Sequence, residues 1–148
     1  MELLDDKYFM RIALAEAEDA MFEDEIPIGA VVVADGRVIA RGHNHTQLLN
    51  DVTAHAEMEA LTSASNKLAS KYLNTCTLYV TVEPCVMCAG AIAWAQVGAL
   101  VYGASEPKKG YTMLGVPVLH PKTVVRRGVL AEECERLMKE FFQRRREK

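Results

Sequence analysis

Val82 to Gly90 reads Val-Glu-Pro-Cys-Val-Met-Cys-Ala-Gly and joins a predicted strand to a run of helix formers. A proline directly precedes the first of two cysteines, Cys85 and Cys88, which lie three positions apart. At a helix start this spacing puts both sulfur atoms on one face of the first turn. Unpaired backbone N–H groups and the helix dipole are expected to lower the pKa of both thiols, which favours metal binding as thiolates. Taken alone, Cys-x-x-Cys also fits a redox pair or half of a structural zinc site.

Further ligands are found upstream, in Thr53-Ala54-His55-Ala56-Glu57. We predict a second helix start here, with Thr53 as a plausible cap. One imidazole from His55 and two thiolates make three protein ligands, which leave a tetrahedral Zn²⁺ ion with an open position for water. An open position is typical of a catalytic ion, and we expect one such ion per chain. Glu57 is too close to His55 to be an easy second ligand, but it is well placed to carry the protons of that water.

Other interpretations of the metal-binding and cysteine residues stay open from the sequence alone. His43 and His45 alternate onto one face of an extended segment and could complete a structural Cys₂His₂ site, although this leaves the upstream His-x-Glu pair without a purpose. Glu83 precedes a helix start, where electrostatic capping explains it at least as well as a catalytic part does. The remaining cysteines, Cys76 and Cys134, are predicted to be small buried hydrophobic residues.

The composition indicates one soluble globular unit. Half of the 148 residues are hydrophobic, enough for one sizeable core, so we expect a single domain over residues 1–148. No uninterrupted apolar run approaches the ~20 residues that span a bilayer, and the N-terminus has neither a basic flank nor an apolar core. Four cysteines are too few and too unevenly placed for a disulfide scaffold. We therefore expect a cytoplasmic protein without a membrane partner.

The net charge of −3 is divided unevenly along the chain. Residues 1–107 hold 6 Lys and Arg against 15 Asp and Glu, whereas residues 108–148 hold 11 against 5. A basic surface at one end could therefore meet the phosphates of a nucleic acid while the rest of the molecule stays acidic.

Hydrophobic periodicity predicts an α/β protein. Asp35-Gly36 lies between two short β-type runs and predicts a hairpin, and a later strand, helix and strand suggest a parallel pair. These elements predict a three-layer α/β/α fold with a five-stranded mixed sheet, whose metal-binding helix starts lie side by side at one end. The loops are 42–52 and 105–121; the predicted helices are 5–23, 55–68, 85–96 and 131–145, and the predicted strands are 28–34, 37–41, 76–81, 99–103 and 123–127.

His-x-Glu followed by Pro-Cys-x-x-Cys is the zinc-deaminase signature. His55 to Leu61 and Leu78 to Ile92 contain this signature, and two further segments add to the resemblance: Ile26-Pro27-Ile28-Gly29-Ala30-Val31 and Gly128-Val129-Leu130-Ala131-Glu132-Glu133-Cys134. With them the chain resembles the bacterial tRNA-specific adenosine deaminases over nearly its whole length. The resemblance implies a cytidine-deaminase-like fold, a homodimer, and conversion of the wobble adenosine in a tRNA anticodon stem-loop to inosine. Glu57 would then protonate the ring nitrogen and the departing amine.

The resemblance also implies substrate contacts. An Asn in the loop before the His-x-Glu helix contacts the base in similar enzymes, and Asn44 matches it, although a plain turn residue would also account for it. In similar enzymes, an aromatic residue at the C-terminal end packs against a splayed base and arginines there bind phosphates. In this chain the same residues could instead form a packed last helical turn with a solvated basic end. The residues so implied are Ile26, Ile28, Asn44, Ala56, Glu106, Phe142, Arg144 and Arg145.

The chain departs from the family at Ser105-Glu106-Pro107-Lys108, where Arg-Asp-Pro/Ala-Lys is usual. The longer side chain of Glu106 could still accept a bond from a ribose hydroxyl, but at a shifted position. Two alternatives therefore remain. One is a deaminase of free guanine, cytosine or a nucleoside; the other is a non-catalytic, zinc-stabilised RNA-binding subunit.

Overall fold

The computed structural model describes residues 5–147, and within that range all of the predicted helices and strands are present. Their ends lie within two residues of the predicted bounds. The helices are α1 (Asp6–Phe22), α2 (Thr46–Leu49), α3 (Ala56–Leu68), α4 (Val86–Ala95) and α5 (Ala131–Glu147), and the strands are β1 (Gly29–Ala34), β2 (Arg37–His43), β3 (Thr77–Val82), β4 (Ala99–Ala104) and β5 (Val124–Arg127).

The strands form one mixed sheet in the order β2-β1-β3-β4-β5. Strand β1 pairs antiparallel with β2 and β3, whereas β3, β4 and β5 run parallel. The hairpin turns at Asp35 and Gly36, which both have positive φ angles, 51° and 71°, as a tight two-residue turn requires. The predicted five-stranded mixed sheet is therefore confirmed.

Helices cover both faces of the sheet. Helices α3 and α4 pack on the face formed by residues such as Ala30 and Val32, whereas α1 and α5 pack on the face of Val31 and Val33. Strand β1 is apolar throughout because successive side chains point to opposite faces and each face lies under helices. The three-layer arrangement follows from this double burial.

Glycines allow the helices to approach the hairpin closely. A Cβ atom at Gly29 would collide with the backbone of α1 at Ala13, and one at Gly42 would lie 2.6 Å from the carbonyl oxygen of Ala56 in α3. The close packing places the beginning of α3, next to His55, against the end of β2.

Two short elements lie inside the predicted loops. Helix α2 occurs within residues 42–52, and a 3₁₀ helix, Tyr111–Leu114, occurs within residues 105–121. Helix α2 is stabilised by Glu25, whose buried carboxylate accepts the N–H groups of Gln47 and Leu48 at 3.0 and 2.9 Å. Because Glu25 is more than twenty residues away, local sequence patterns do not reveal this helix. None of the helices in residues 5–147 is both long enough and apolar enough to cross a membrane.

Candidate metal and active site

The predicted metal ligands meet at the first turns of two adjacent helices. His55 and Cys85 occupy the N-cap positions of α3 and α4, and Cys88 lies in the first turn of α4. The Nδ1 atom of His55 is 3.7 Å from Sγ of Cys85 and 3.4 Å from Sγ of Cys88. All three ligand atoms lie within 4.8 Å of one another, so the three side chains form a group that could hold one metal ion.

The spacing of this cluster fits a tetrahedral ion. Bonds of about 2.0 Å to nitrogen and 2.3 Å to sulfur, at the tetrahedral angle, separate the two ligand atoms by about 3.5 Å. The observed separations of 3.4 and 3.7 Å bracket that value. The donor set, two sulfur atoms and one imidazole nitrogen, is one that prefers zinc or another soft to borderline cation.

The two thiols differ in acidity although they lie side by side. Hydrogen bonds from Cys88 and, secondarily, from His55 lower the pKa of Cys85 to about 3. The same hydrogen bond, together with burial, raises the pKa of Cys88, which keeps the shared proton. The lowered pKa of Cys85 favours its binding to a cation as a thiolate, and a cation would displace the remaining proton of Cys88.

Glu57 lies one residue into α3, directly after the His55–Ala56 step, and is only 3% exposed. Burial raises the pKa of its carboxyl group to about 7. Among the residues that the structure describes, its Oε1 is the buried side-chain oxygen or nitrogen atom that lacks a hydrogen-bond partner. A buried carboxylate oxygen without a partner is costly, and such groups are typical of sites that exchange protons with a ligand.

Asn44 supports this helix start. Its Oδ1 atom accepts the N–H group of Ala56 at 2.8 Å, and its own N–H group donates to the carbonyl of Ile28. The prediction that Thr53 caps the helix is wrong, because Thr53 bonds instead to Asp51 in the preceding turn. Asn44, which is 3% exposed, takes the capping role from a distant part of the chain.

The alternative Cys₂His₂ scheme is not the grouping that the structure contains. His43 and His45 lie together with Glu23, apart from the group of His55 and the two cysteines. The structure therefore pairs the cysteines with the His-x-Glu motif.

Glu83 organises the loop beside the cysteines. Its carboxylate accepts the N–H group of Glu106 at 3.1 Å, and the N–H and hydroxyl groups of Thr112 at 3.0 and 2.7 Å. Gly110 lies so close that an added Cβ atom would collide with this carboxylate. The structural role of Glu83 is therefore to hold this loop, and it is larger than electrostatic capping of α4 alone. Sequence inspection missed Thr112, because a threonine in an irregular loop carries no local signal.

Glu106 uses its side chain within its own turn. Its Oε1 atom accepts the N–H groups of Lys108 and Lys109 at 2.9 and 3.3 Å. The half-buried carboxylate therefore shapes the loop, and a contact with ribose remains a proposal.

The end of α5 forms a cavity with the segment before β1. The cavity holds about 140 Å³ and lies between the predicted pocket residue Ile26 and the C-terminal aromatic pair. Phe141 is buried, whereas Phe142 is 42% exposed and stands nearly perpendicular to it, with 5.3 Å between ring centroids. The lining residues are Ile26, Thr46, Gln47, Phe141, Phe142 and Arg145.

The two C-terminal arginines have different surroundings. Arg145 lies 4.9 Å above the ring of Phe141 and donates to the carbonyl of Asp24 at 3.1 Å, which ties α5 to the end of α1. Arg144 is exposed and pairs with Glu140 at 2.8 Å, one turn earlier in the helix. Such an exposed pair is weak, so the guanidinium of Arg144 can exchange this partner for a phosphate.

Ile28 does not lie in this cavity but packs partly buried against the core beneath α3 and α4. Ala56 is fully buried at the beginning of α3, between His55 and Glu57. Ala56 therefore adjoins the cluster of His55, Cys85 and Cys88 along the chain, whereas Ile26 lines the cavity at the end of α5.

The sheet, its two helical layers and the cluster at the helix starts define a hydrolytic deaminase with the cytidine-deaminase-like fold. A family model described as MafB19-like deaminase matches residues 4–146. A tRNA-specific adenosine deaminase of Agrobacterium fabrum is 46% identical to the chain over 144 residues, covering 94% of this chain and 95% of the relative. The chain belongs to this deaminase family and, within it, to the tRNA-specific adenosine deaminases.

Solved structures agree with the assignment. One, from a study of A-to-I editing by tRNA:A34 deaminases at the wobble position of transfer RNA, has a TM-score of 0.82 and 45% identity, covering 88% of this chain and 98% of that chain. A guanine deaminase of Nitrosomonas europaea has a TM-score of 0.81 at 27% identity, covering 95% and 86%. The fold is thus shared by deaminases of different bases, and the choice of substrate depends on the residues around the site.

Proposed function

We propose that this chain hydrolytically deaminates the wobble adenosine of a tRNA anticodon loop to inosine, with Zn²⁺ as its cofactor. The observation that carries the proposal is the buried carboxylate of Glu57, whose Oε1 has no hydrogen-bond partner, beside the cluster of His55, Cys85 and Cys88. The names of the relatives supply the substrate class, and the basic C-terminal helix is consistent with it. We further propose that the whole chain forms one catalytic domain.

The catalytic chemistry follows from the positions of these side chains. When bound to the imidazole and the two thiolates, zinc supplies Lewis-acid activation of water near neutral pH. Glu57 accepts a proton from the attacking water and delivers it to the ring nitrogen adjacent to C6 of adenine. It then passes the second proton to the exocyclic amine. Adenosine and water are thereby converted into inosine and ammonia.

The raised pKa of Glu57 suits this exchange. Burial raises the pKa of the carboxyl group to about 7, so the group can both accept and release a proton at neutral pH. Asn44 is proposed to hold the loop that borders the base while it caps α3 through Ala56.

The tRNA contact is proposed at the cavity beneath the end of α5. Phe142 presents an exposed ring on which an unpaired loop base can stack, and Ile26 supplies an apolar wall. Arg144 and Arg145 stand beside this ring on the same helix turn and can meet the RNA backbone. Ile28 and Glu106 are proposed to border the reacting nucleotide.

We also propose that two copies of the chain associate through α4. This helix has no charged residue, and its sequence is apolar all round. One face packs on the core, whereas Val86, Met87 and Trp94 are exposed, Trp94 by 85%. Apolar helices are normally covered on every side, and contiguous apolar surfaces of this kind mark interaction sites. A tRNA substrate and reduced thiolate ligands together favour a cytoplasmic location.

The direct test is incubation of the zinc-loaded protein with total tRNA and, separately, with free adenine, adenosine, cytosine and guanine. We expect inosine in anticodon loops, one ammonia per inosine, and negligible ammonia from the free compounds. An anticodon stem-loop whose adenosine is moved out of the wobble position is the matched control. Release of ammonia from guanine or cytosine alone would instead support the free-base alternative. Zinc-dependent tRNA binding without any inosine would support the non-catalytic alternative.

A further inference from the structure

A second group of metal-ligating side chains lies outside the deaminase site. Nε2 of His43 is 3.2 Å from Oε1 of Glu23, and Nε2 of His45 is 3.5 Å from the same oxygen. The two imidazole rings face each other with their centroids 4.3 Å apart. The three side chains come from the end of α1, the end of β2 and the residue before α2, and they meet at the edge of the sheet.

The other ring nitrogen of each imidazole, Nδ1, contacts a further carboxylate. Nδ1 of His43 is 3.0 Å from Glu16 on α1, and Nδ1 of His45 is 2.6 Å from Glu59 on α3. Metal-binding histidines usually donate their second ring N–H to a carboxylate in this way, which fixes the tautomer and strengthens the ligand. In the structure, Nε2 of His43 donates a hydrogen bond to the carboxylate of Glu23 at 3.2 Å. A cation would replace this proton, because with both Nδ1 hydrogens directed at the carboxylates behind them the two Nε2 atoms and the carboxylate of Glu23 could all bind it.

The spacing matches a bound ion. Two ligands at about 2.0–2.1 Å from a tetrahedral ion lie about 3.3 Å apart. The separations of 3.2 and 3.5 Å agree with this value, and all three ligand atoms lie within 4.8 Å of one another. The ligand atoms of His55, Cys85 and Cys88, at the proposed deaminase site, likewise lie within 4.8 Å of one another.

The surroundings are also suitable. The side chains of His43 and Glu16 are 13% and 16% exposed, and those of His45 and Glu59 are 22% and 28% exposed, so the supporting shell is largely shielded. Three carboxylates surround two imidazoles, which gives the cluster a negative potential when the imidazoles are neutral. Glu23, which is 43% exposed, leaves an entry path from solvent.

We propose that Glu23, His43 and His45 bind a second divalent metal ion of the borderline class that favours imidazole nitrogen, such as Zn²⁺ or Co²⁺. The ion joins the end of α1 to the loop that carries Asn44. Because Asn44 lies between the two histidines and caps α3 through Ala56, the ion steadies the helix that presents the catalytic cluster. This second ion takes no part in the deamination and has a structural role.

Cobalt substitution distinguishes the two sites. The protein is saturated with Co²⁺, freed of loose metal by gel filtration and analysed for metal per chain and for absorption. We expect two ions per chain in the natural protein and one in His43→Gln and His45→Gln. The first ion produces thiolate-to-cobalt charge-transfer bands from the two cysteines. The second adds only d–d absorption, because its ligands are nitrogen and oxygen.

Two further variants exclude indirect effects. His120→Gln changes a histidine outside the cluster and is expected to keep both ions. Glu23→Gln removes only a half-exposed carboxylate and is expected to keep the fold, measured by circular dichroism, while it weakens the second site by at least tenfold. One ion per chain in the natural protein, or a second ion that is unaffected by Glu23→Gln, would overturn the proposal.

Discussion

Glu57 combines two properties that rarely coexist in a glutamate. It is buried, and one of its oxygens has no partner among the described residues. We predict that Glu57→Gln lowers kcat for tRNA deamination by about 10²–10⁴-fold, since the amide cannot carry the proton. The zinc content should stay the same and the Tm should not fall, because the substitution removes a buried charge and keeps its shape.

Steady-state kinetics, metal analysis and thermal denaturation measure these three quantities. Glu132→Gln, on the exposed first turn of α5, is a matched control that should leave all of them unchanged. Retention of more than a tenth of the natural kcat in Glu57→Gln would contradict the assigned role.

Cys85 provides a pH-dependent prediction. Its pKa is lowered to about 3 by Cys88 and His55, so in the zinc-free protein the thiolate is present throughout pH 5–8. Alkylation of Cys85 by iodoacetamide should therefore change less than about twofold over this range. An ordinary thiol, with a pKa of about 8.5, loses reactivity roughly tenfold for each pH unit below that value.

Peptide mass spectrometry reports the rate at each cysteine separately. Cys76 and Cys134 are buried, and burial raises the pKa of both thiols, so they serve as unreactive internal references. Addition of zinc should protect Cys85. A rate that falls tenfold between pH 8 and pH 7 would show that no thiolate is stabilised.

The elements depend on a few positions where a side chain cannot be accommodated. Gly29 packs against the backbone of α1, and any Cβ atom there must push the helix away from the sheet. We predict that Gly29→Ala lowers the free energy of unfolding by about 2–3 kcal/mol or more, through overpacking. Urea denaturation provides the measurement.

Gly36→Ala is the control for this substitution. Nothing lies within 4 Å of a Cβ atom at Gly36, so only its positive φ of 71° is unfavourable to alanine. The expected cost is about 1 kcal/mol. Equal losses in the two variants would mean that the close contact of α1 with β1 is unimportant for stability.

Short elements show where local patterns fail. The β-branched runs and amphipathic segments predicted every long helix and strand, because each buries an apolar face whose spacing is visible in the sequence. Helix α2 was missed, since its four residues bury no apolar side chain and depend on the distant carboxylate of Glu25. The wrong cap at Thr53 has the same cause: the structure uses Asn44, which reaches the helix from another loop.

The charge of the molecule is distributed unevenly along the chain. The basic excess lies in residues 108–148, although the chain carries a net charge of −3. We predict that replacing both Arg144 and Arg145 with alanine weakens tRNA binding and reduces the slope of log K against log salt by about 1 for each lost phosphate contact. Filter binding at several salt concentrations measures the slope.

Lys139→Ala is the matched control, since Lys139 lies on the same helix and is exposed beside Glu135. It should leave the slope nearly unchanged. Because Arg145 also stacks on Phe141, thermal denaturation must accompany the measurement. An unaltered slope in the folded double variant would show that these arginines of α5 do not contact the RNA phosphates.

Association of two copies is a separate prediction. Trp94→Glu places a charge in the middle of the exposed face of α4 and should convert a dimer into a monomer at micromolar concentration. Light scattering coupled to gel filtration measures the mass. Phe22→Glu, at an equally exposed aromatic residue outside that face, should remain dimeric. A natural protein that is monomeric would contradict the proposal outright.

The sequence alone determined the five-stranded mixed sheet, the order of the helices and which residues are the candidate metal ligands. Apolar periodicity and the spacing of candidate ligands are local properties, so they can be recognised directly in the sequence. Only the tertiary structure decided that Asn44 caps α3, that Glu83 holds the loop of Thr112, and that His43 and His45 meet Glu23. These contacts join residues that are distant in the chain, and their energies depend on burial and direction, which no sequence pattern records.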